Sequence, residues 1–519
     1  MLRITPRLSG THWLPWLALI CLSFVVFLGK AYETSLAPND SALFGIVAMK
    51  VTDQGLLPHL PIQGVANYDG ASQVGFNDLP FFFPYLNGLA MRLLGPSAWG
   101  SRVLPAILAV GTVLLTGILG WILESEIFGF SAALLLTLTP EYIKMGANFH
   151  LDLPMIFFIL LSFVAWLRGF PIAAGIAAAI GTWVKTPVAL LIVPTSLAVM
   201  MVQGEWRQKL GPWFRLTLSA VAAIALFWIF VGYRGGFALV EDYWGRQVLG
   251  TALRGRGMVA QTDWFMFLNY FLRHYLPWNL LLIASLGVIA YRKLWQKPVV
   301  LWALSGCLIL VGAISPLKFK YDYYFLPVFP FLSLLAMPLF GGSLEKYRLK
   351  IFSGATVFSL GLLTLLLCTP IALSPEAFPS FKRFSAIIQN YGNCSDEILF
   401  VEGGTPYGGR QEYGIEARFY TGRTLSGASC EKATLAAGDP KIRWLIASGE
   451  NVQKCLSGEA RALFPSAFKF GNQRLLSKTN LSVNGLSDLT PLERELTAVT
   501  DCRSKIFPQD RYHAYLPGE

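Results

Sequence analysis

The residues of this chain best suited to chemistry are charged groups at the ends of long apolar segments. Asp40 follows the first apolar segment, Asp152 opens a later one, and Lys185 lies between two more. A carboxylate so placed can accept a proton, and an ammonium group can hold an anion. Each residue also has a plainer interpretation, because Asp40 and Asp152 are suited to capping helices and Lys185 can reach the membrane surface. Spacing alone leaves both interpretations open.

Two neighbouring regions add further polar candidates. His150 precedes Asp152 by two positions and is a candidate contact for a metal or a substrate. Lys318 and Lys320 come just before a late apolar segment that contains Tyr324. Lysines beside tyrosines are also typical of anchoring at a membrane interface. The pattern therefore predicts either a polar site or a set of interfacial anchors.

The composition indicates an integral membrane protein. Of the 519 residues, 54% are hydrophobic and 14% are charged. No soluble domain of this size needs so much apolar surface. The net charge of +11 could suggest a nucleic acid, but the basic residues lie between apolar segments, where membrane topology explains them. We therefore expect contacts with membrane lipids and none with nucleic acid.

Hydropathy predicts about eleven membrane spans; several are shorter than the ~20 residues that cross ~30 Å of hydrocarbon, so re-entrant or broken segments are an alternative for these. They are 13–29, 102–123, 127–140, 151–168, 171–183, 187–203, 215–233, 277–292, 298–314, 323–341 and 350–370. The loops after even-numbered spans carry lysine and arginine, except the turn that contains Glu124 and Glu126. The positive-inside rule then predicts a cytoplasmic N-terminus and a C-terminus outside. The first span lacks a clear signal-peptidase site, so we expect a retained helix.

Two long loops are predicted to face outside, 30–101 and 234–276. The first contains an amphipathic stretch, 40–54, and an aromatic segment with prolines, 79–86, both suited to lie along the membrane surface. The second loop holds several arginines against the positive-inside bias, Arg254 and Arg256 among them. Arginines in such a place indicate either anion binding or contact with lipid headgroups.

The composition changes near residue 375. Strand-like segments at 397–401 and 443–447, with a helical segment between them, predict a small extracytoplasmic α/β domain over 375–519, after a transmembrane domain over 1–374. Four cysteines fall in this part of the chain, on the oxidising side of the membrane, which predicts one or two disulfides with the pairing left open. They are Cys394, Cys430, Cys455 and Cys502.

The order of these motifs resembles a known family. Asp40 follows the first span, Leu-Asp-x-Pro opens the fourth at 151–154, Lys-x-Pro follows at 185–187, and Lys-x-x-x-Tyr-x-Leu-Pro occupies 320–327. Together with the aromatic segment 79–86, this order is similar to that of the GT-C glycosyltransferases of the protein O-mannosyltransferase and lipid A aminoarabinose transferase type. The similarity covers roughly 13–340, and the α/β tail is similar to that of bacterial members. It implies a polytopic helical GT-C fold in a bacterial inner membrane, with the C-terminal domain in the periplasm.

The resemblance also implies roles for individual residues. The family's first loop carries an Asp-Glu pair whose Asp is the catalytic base or a ligand of the site, and this places the base on Asp40. In that register Ser41 stands at the family's Glu; the alternative register puts the pair on Asn39 and Asp40, and one acid is missing in either. Asp78 stands where aminoarabinose transferases carry a lysine at the donor phosphate, so donor handling or the substrate must differ. Asp152, Lys185, Lys318, Lys320 and Tyr324 are implied to line the active cavity, with Arg254 and Arg256 as further candidates at the donor phosphate.

These features predict an enzyme that moves a sugar from a polyprenyl-phosphate donor to a hydroxyl or phosphate of a lipid, glycan or protein acceptor. Asp40 would act as base in a single inverting displacement, and cations would hold the phosphate. The residues specify no cofactor, although a divalent metal near Asp40 or His150 is compatible with them. The alternatives are a transporter or flippase of lipid-linked glycans, which predicts ionisable groups at the bilayer midplane, and an assembly subunit.

Overall fold

The structure is a computed structural model, and Asp78, Arg254 and Arg256 lie outside the residues that it describes. The described residues are 13–28, 40–52, 57–62, 76–77, 79–253, 265–318, 320–341, 343–368, 384, 387–388, 391, 396–401, 425–428, 430, 433–470 and 473–478.

The chain packs as two compact units. The first consists of Met1–Lys30, Ala71–Phe83 and Val103–Ser374. The second consists of Ala31–Gly70, Pro84–Arg102 and Pro375–Glu519. Parts of the predicted first outer loop thus belong to the same unit as the C-terminal residues, which hydropathy does not predict. The division into a membrane domain over 1–374 and a periplasmic domain over 375–519 stays a prediction.

Helices dominate the described residues before position 375. The first nine α-helices are α1 (Trp13–Leu28), α2 (Asp40–Val51), α3 (Phe82–Leu94), α4 (Ala98–Leu123), α5 (Glu126–Thr137), α6 (Pro140–Gly146), α7 (Asp152–Leu167), α8 (Pro171–Val184) and α9 (Ile192–Val202). The next nine are α10 (Trp206–Gly235), α11 (Phe237–Asp242), α12 (Thr251–Leu253), α13 (Met266–His274), α14 (Trp278–Tyr291), α15 (Pro298–Ile314), α16 (Phe329–Ala336), α17 (Ser343–Lys346) and α18 (Arg348–Cys368).

Short helices of other types join several of these elements. Four are 3₁₀-helices, Pro187–Leu191, Leu294–Gln296, Asp322–Val328 and Met337–Phe340, and one is a π-helix, Tyr243–Gly250. Proline begins the first of them, and a proline suits the first position of a helix because it has no N–H that would lack a partner there. These segments interrupt the α-helical backbone next to the candidate site described below.

The described apolar helices match the predicted spans in position, but only some of them are long enough to cross a membrane. Each of the eleven predicted segments coincides with a described helix or with consecutive helical segments. Four are long and apolar enough to cross a membrane, namely Ala98–Leu123, Trp206–Gly235, Tyr323–Phe340 and Arg348–Leu366. A fifth crossing is possible for the pair Met266–His274 and Trp278–Tyr291, which is bent by 110°. The chain is a multi-pass membrane protein, as its composition predicts.

Small residues let the helices of the first unit pack closely. Gly129 in α5 faces Gly117 in α4, and a Cβ built on Gly129 would lie 2.0 Å from the carbonyl oxygen of Gly117. Only glycine permits this approach of two backbones, and close approach gains van der Waals contact where lipid provides no hydrophobic driving force. A side chain at position 129 would push α4 and α5 apart.

The aromatic segment near residue 80 packs inside the first unit rather than along the membrane surface. Phe81 and Phe83 are buried, and Phe81 stacks on Phe227 with ring centroids 5.4 Å apart. Phe83 meets Phe149 edge to face at 6.0 Å. The surface orientation predicted for these rings is wrong, because packing against other aromatic side chains buries more apolar area than an interface does.

Helix α2, in the second unit, also differs from its prediction. Ten of its twelve residues are buried, including Lys50, so it has no exposed polar face. Its neighbours come close, since a Cβ on Gly88 would lie 2.1 Å from the carbonyl oxygen of Ala48. The amphipathic surface helix predicted for 40–54 is therefore a buried helix, and a helix apolar all round is a buried one.

The described C-terminal residues of the second unit form a five-stranded sheet. The strands are β1 (Glu397–Val401), β2 (Leu425–Ala428), β3 (Ile442–Ser448), β4 (Ser466–Phe470) and β5 (Gln473–Ser477), and the short helices are α19 (Ala433–Ala437), α20 (Gly449–Cys455) and α21 (Gly458–Ala462). The order is β2-β1-β3-β5-β4, with β2, β1 and β3 parallel and β5 antiparallel to both of its neighbours. The two strands predicted from sequence are β1 and β3, so the α/β character is confirmed.

One disulfide joins Cys430 to Cys455 in this sheet region. Cys455 ends α20 and lies 6% exposed in a core with Leu399, Leu445 and Ala436. Cys394 and Cys502, the other two candidates, lie outside the described residues. The structure thus selects one pair among those that the sequence left open. Cys21, Cys307 and Cys368 are free, and of these three only Cys307 is buried.

Candidate functional site

Asp152 and Lys185 form a buried ion pair in the first unit. The Nζ of Lys185 donates to both carboxylate oxygens of Asp152, at 2.8 Å to Oδ1 and 2.7 Å to Oδ2. The two side chains are only 11% and 4% exposed. Two oppositely charged groups taken out of water cost several kcal/mol each unless geometry is good and partners are complete. The chain therefore bears the free-energy cost of removing these two charges from water at this position.

The local sequence explains how the two side chains meet. Asp152 is the first residue of α7, and Lys185 directly follows the last residue of α8. The N-cap position belongs to Leu151, so the carboxylate serves Lys185 rather than a helix cap. A carboxylate at a helix N-terminus and an ammonium at a C-terminus both face the favourable end of a helix dipole.

Two tyrosine rings complete the surroundings of the lysine. The Nζ of Lys185 lies 5.3 Å from the ring centroid of Tyr323 and 5.1 Å from that of Tyr324. A cation over an aromatic face is stabilised by the ring quadrupole, more so where water is excluded. Tyr324 was predicted to line the site, whereas Tyr323 was not singled out. The ring of His150 lies 6.3 Å from that of Tyr323, so it borders the same cluster.

The two lysines that precede this aromatic pair have different surroundings. Lys320 is 3% exposed, donates to the carbonyl of Ser315 at 2.6 Å and lies over the ring of Phe267 at 5.7 Å. The side chain of Lys318 is exposed, and its backbone amide donates to the carbonyl of Ala252. Lys320 therefore belongs to the buried aromatic layer, and Lys318 lies at the surface.

Asp40 begins α2 in the second unit, where it is half buried. Its position in the first turn matches the predicted helix start, and its role as a base stays a prediction. Asp78, Arg254 and Arg256 are outside the described residues, so their predicted contacts stay predictions too. Among the residues that the structure describes, no three or more His, Cys, Asp or Glu side chains gather as a metal site would require.

Tyr243 is a contact of the site that sequence reasoning missed. Its hydroxyl donates to the backbone carbonyl of Lys185 at 3.0 Å. Tyr243 opens the π-helix in the predicted second outer loop, where the charge pattern singles out arginines and not aromatic residues. The loop was predicted to lie on the same side as Lys185, which is the one signal that could have suggested this contact.

A second polar cluster was also missed. The Oε2 of Glu141 lies 2.8 Å from Nδ1 of His274, and the Nζ of Lys144 lies 3.3 Å from Oε1 of the same carboxylate. Glu141 is buried, while Lys144 is exposed. The ring of Tyr270 stacks on that of His274 at 4.4 Å. Because Glu141 and His274 are 133 positions apart, spacing gives no sign of this pair.

A third cluster ties residues near position 80 to the second loop. The amide of Asn77 donates to the carbonyl of Leu239 at 2.8 Å and to Oδ2 of Asp242 at 3.0 Å. Arg246, in the π-helix with Tyr243, pairs with Asp242 at 3.2 Å. The start of the π-helix is therefore fixed on both sides by hydrogen bonds.

Comparison with known proteins gives a consistent result. Residues 78–230 match the family model described as dolichyl-phosphate-mannose-protein mannosyltransferase. No curated protein sequence matches the chain.

Solved structures are similar in fold over most of the chain. ArnT from Cupriavidus metallidurans bound to undecaprenyl phosphate is similar with a TM-score of 0.64 at 14% identity, over 91% of this chain and 99% of that one. ArnT in the apo state gives 0.64 at 13% identity, over 89% and 98%. The oligosaccharyltransferase AglB from Archaeoglobus fulgidus, in complex with an inhibitory peptide and a dolichol-phosphate, gives 0.51 at 13%, over 91% and 75%.

At these identities the solved structures establish the fold, and the family match adds the enzyme class. The superfamily and fold predicted from the order of the motifs are confirmed: the chain is a membrane glycosyltransferase with the GT-C fold.

Proposed function

We propose that the protein transfers a sugar from a polyprenyl-phosphate carrier to a hydroxyl or phosphate of a lipid, glycan or protein acceptor, and that Lys185 contacts the donor phosphate. The observation that carries this proposal is the buried ammonium of Lys185, held by Asp152 and faced by Tyr323 and Tyr324. Support from outside the chain comes from the two carriers bound in similar structures, undecaprenyl phosphate in ArnT and dolichol-phosphate in AglB.

The charge of the site suits a phosphate that becomes more negative during the reaction. A phosphodiester donor carries one negative charge, and the polyprenyl phosphate that leaves carries up to two. Lys185 has three N–H donors, and two of them are directed at Asp152. The third is available for a phosphate oxygen. The hydrogen bond from this N–H becomes stronger as negative charge develops on the leaving phosphate, so it stabilises the transition state more than the ground state.

The proposed reaction is a single displacement. The acceptor oxygen forms a bond to the anomeric carbon while the bond from that carbon to the donor phosphate oxygen breaks, so the configuration inverts. The proton of an acceptor hydroxyl goes to a carboxylate base, and the polyprenyl phosphate leaves with the bonding electron pair. Asp40 is our candidate for the base, because the resemblance to GT-C enzymes puts the acid of the first outer loop in that role.

We place the reaction on the extracytoplasmic face of a bacterial inner membrane. The loops rich in lysine and arginine follow even-numbered spans, which predicts a cytoplasmic N-terminus. The disulfide between Cys430 and Cys455 is consistent with a C-terminal domain in an oxidising compartment. A polyprenyl tail in the bilayer would explain why a membrane protein performs this transfer on a hydrophilic sugar.

The test is sugar transfer from radiolabelled polyprenyl-phosphate sugars to a membrane extract by purified full-length protein. Asp40→Asn is the test variant, and Glu124→Gln, an acid in the turn between α4 and α5, is the matched control. Both variants are checked for folding by thermal melting. We expect transfer by wild type and by Glu124→Gln, and a loss of at least about 100-fold in Asp40→Asn.

Equal transfer by Asp40→Asn and wild type would remove Asp40 as the base while leaving the transferase in place. No transfer by wild type across a broad panel of donors would overturn the proposed donor class and favour a transporter of lipid-linked glycans.

A further inference from the structure

Tyr243 makes a contact with the candidate site that the proposed reaction does not use. Its hydroxyl donates to the carbonyl of Lys185, 58 positions earlier in the chain. The contact joins the π-helix Tyr243–Gly250 to the end of α8. π-helical turns are rare and often occur at functional sites, which gives a reason to ask what this contact does.

The backbone at Lys185 has little other support. Lys185 has φ −145° and ψ −68°, outside helical geometry, and the extended residue Thr186 separates it from Pro187. Its own amide donates to Gly181 over a long 3.3 Å. A carbonyl at the end of a helix has lost its partner within the helix and needs another. The hydroxyl of Tyr243 is such a partner.

Tyr243 itself is firmly held. It is 3% exposed, and its ring stacks on Trp228 of α10 with centroids 4.5 Å apart. Phe227, the residue before Trp228, stacks on Trp183 with ring centroids 5.0 Å apart, and Trp183 lies two positions before Lys185. Aromatic pairs in such geometry add to the free energy of packing. A continuous aromatic layer therefore fixes the hydroxyl of Tyr243 and the segment that carries Lys185 relative to one another.

We propose that Tyr243 is a positioning residue for the donor phosphate. It fixes the backbone end of Lys185, while Asp152 fixes the ammonium end, and together they orient the third N–H of the lysine. The inference rests on the proposed function, because it takes Lys185 to contact the polyprenyl phosphate. Tyr243 does not touch the substrate in this proposal, and its effect passes through the lysine.

The experiment compares Tyr243→Phe with Tyr275→Phe in the full-length protein. Tyr243→Phe keeps the ring on Trp228 and removes only the hydroxyl. Tyr275 is a matched control, because it is fully buried in the same unit and its hydroxyl hydrogen-bonds to Ser333, at 3.2 Å, rather than to Lys185. Three quantities are measured: the affinity for undecaprenyl phosphate, and the kcat and KM of transfer from the donor.

We expect Tyr243→Phe to bind undecaprenyl phosphate about tenfold more weakly and to raise the donor KM by a similar factor, the size of effect that one buried hydrogen bond supplies. Tyr275→Phe should bind like wild type, although both variants lose a buried hydrogen bond and melt at similar temperatures. A merely structural role of the Tyr243 hydroxyl would lower the melting temperature without this selective loss of affinity.

Unchanged affinity in Tyr243→Phe, or the same loss in Tyr275→Phe, would overturn the inference. So would a wild-type protein that does not bind undecaprenyl phosphate. A third outcome separates the two proposals: the wild type binds undecaprenyl phosphate, Tyr243→Phe binds it more weakly, and neither protein transfers sugar. This outcome would support the inference and count against the proposed reaction alone.

Discussion

The chain segments before and after helix α15 contact ion pairs of very different kinds. Lys297, just before α15, pairs with Glu124 at 2.7 Å, with side chains 46% and 30% exposed. Arg348 pairs with Glu126 nearby in the same region of turns. Helix α15 is about 25 Å long at 1.5 Å per residue. Beyond its other end the chain reaches Tyr323 and Tyr324, the aromatic pair that faces Lys185. There the ion pair with Asp152 is buried.

We call the first region the Glu124 end and the second the Lys185 end. Pairs that water reaches gain little free energy, often under about 1 kcal/mol, and their removal matters little. A buried pair costs much to form and much to break. The pair between Lys297 and Glu124 therefore has the properties of a surface ion pair, whereas the cost of the buried pair at the Lys185 end indicates selection for something other than stability. The predictions below test that contrast.

The largest expected effect is on activity at the Lys185 end. Lys185→Met should lower sugar transfer by about 100-fold or more, because the proposed function takes the Lys185 ammonium to contact the leaving phosphate. Lys297→Met, the matched change at the Glu124 end, should transfer like wild type. Transfer rates of folded, purified proteins give the comparison. Near-normal transfer by Lys185→Met would erase the functional difference between the two ends.

The next effect is on stability at the same end. Lys185→Met leaves Asp152 buried without its charged partner, and we expect a loss of about 3–5 kcal/mol in the free energy of unfolding. Adding Asp152→Asn should restore most of that loss and none of the transfer activity. Unfolding of the single and double variants, followed by a spectroscopic signal, tests this. A double variant as unstable as the single one would show that the uncompensated charge is not the cause.

A smaller effect is expected at the cluster around Glu141. Glu141→Gln weakens two charge-assisted contacts, to His274 and Lys144, and should cost about 1–3 kcal/mol of unfolding free energy. Glu345→Gln is the control, since Glu345 is 58% exposed and pairs with Arg348 on the surface. It should change stability by less than about 0.5 kcal/mol. If the two variants melt at the same temperature, the contacts of Glu141 contribute no more to stability than a surface ion pair does.

The smallest effect belongs to the Glu124 end. Lys297→Met should lower the free energy of unfolding by no more than about 1 kcal/mol, and high salt should reduce the difference because mobile ions screen exposed charges. Melting curves at low and high salt measure it. A larger or salt-independent loss would mean that the pair between Lys297 and Glu124 is less open to water than its exposure indicates.

Much of the fold could be predicted because hydropathy is a local property. The apolar runs that predict eleven spans coincide with described helices, and the strand patterns at 397–401 and 443–447 correspond to β1 and β3. Asp152, Lys185 and Tyr324 were singled out because charge and aromatic residues at the ends of apolar runs are unusual. The structure does bring these three together.

Other features could not be predicted because they depend on partners far away in the chain. The turn with Glu124 and Glu126 lacks a cation of its own, and Lys297 and Arg348 supply the charges from distant loops. The sequence pattern over residues 40–54 is amphipathic, yet helix α2 within this range is buried on nearly every face. Tyr243 and His274 carry no motif at all. In each case the deciding neighbour is more than a hundred positions away or belongs to another segment of the same unit.

The sequence by itself determined that this is a multi-pass membrane protein with a small α/β region, and its ordered motifs indicated the GT-C superfamily, since span length, charge bias and motif order are properties of the chain. Only the tertiary structure decided that Asp152 neutralises Lys185, that Tyr243 holds its backbone, and that Cys430 pairs with Cys455. The physical reason is that a buried charge, a carbonyl at a helix end and a thiol each need one partner. Sequence spacing does not say which of the distant candidates folding will place within 3 Å.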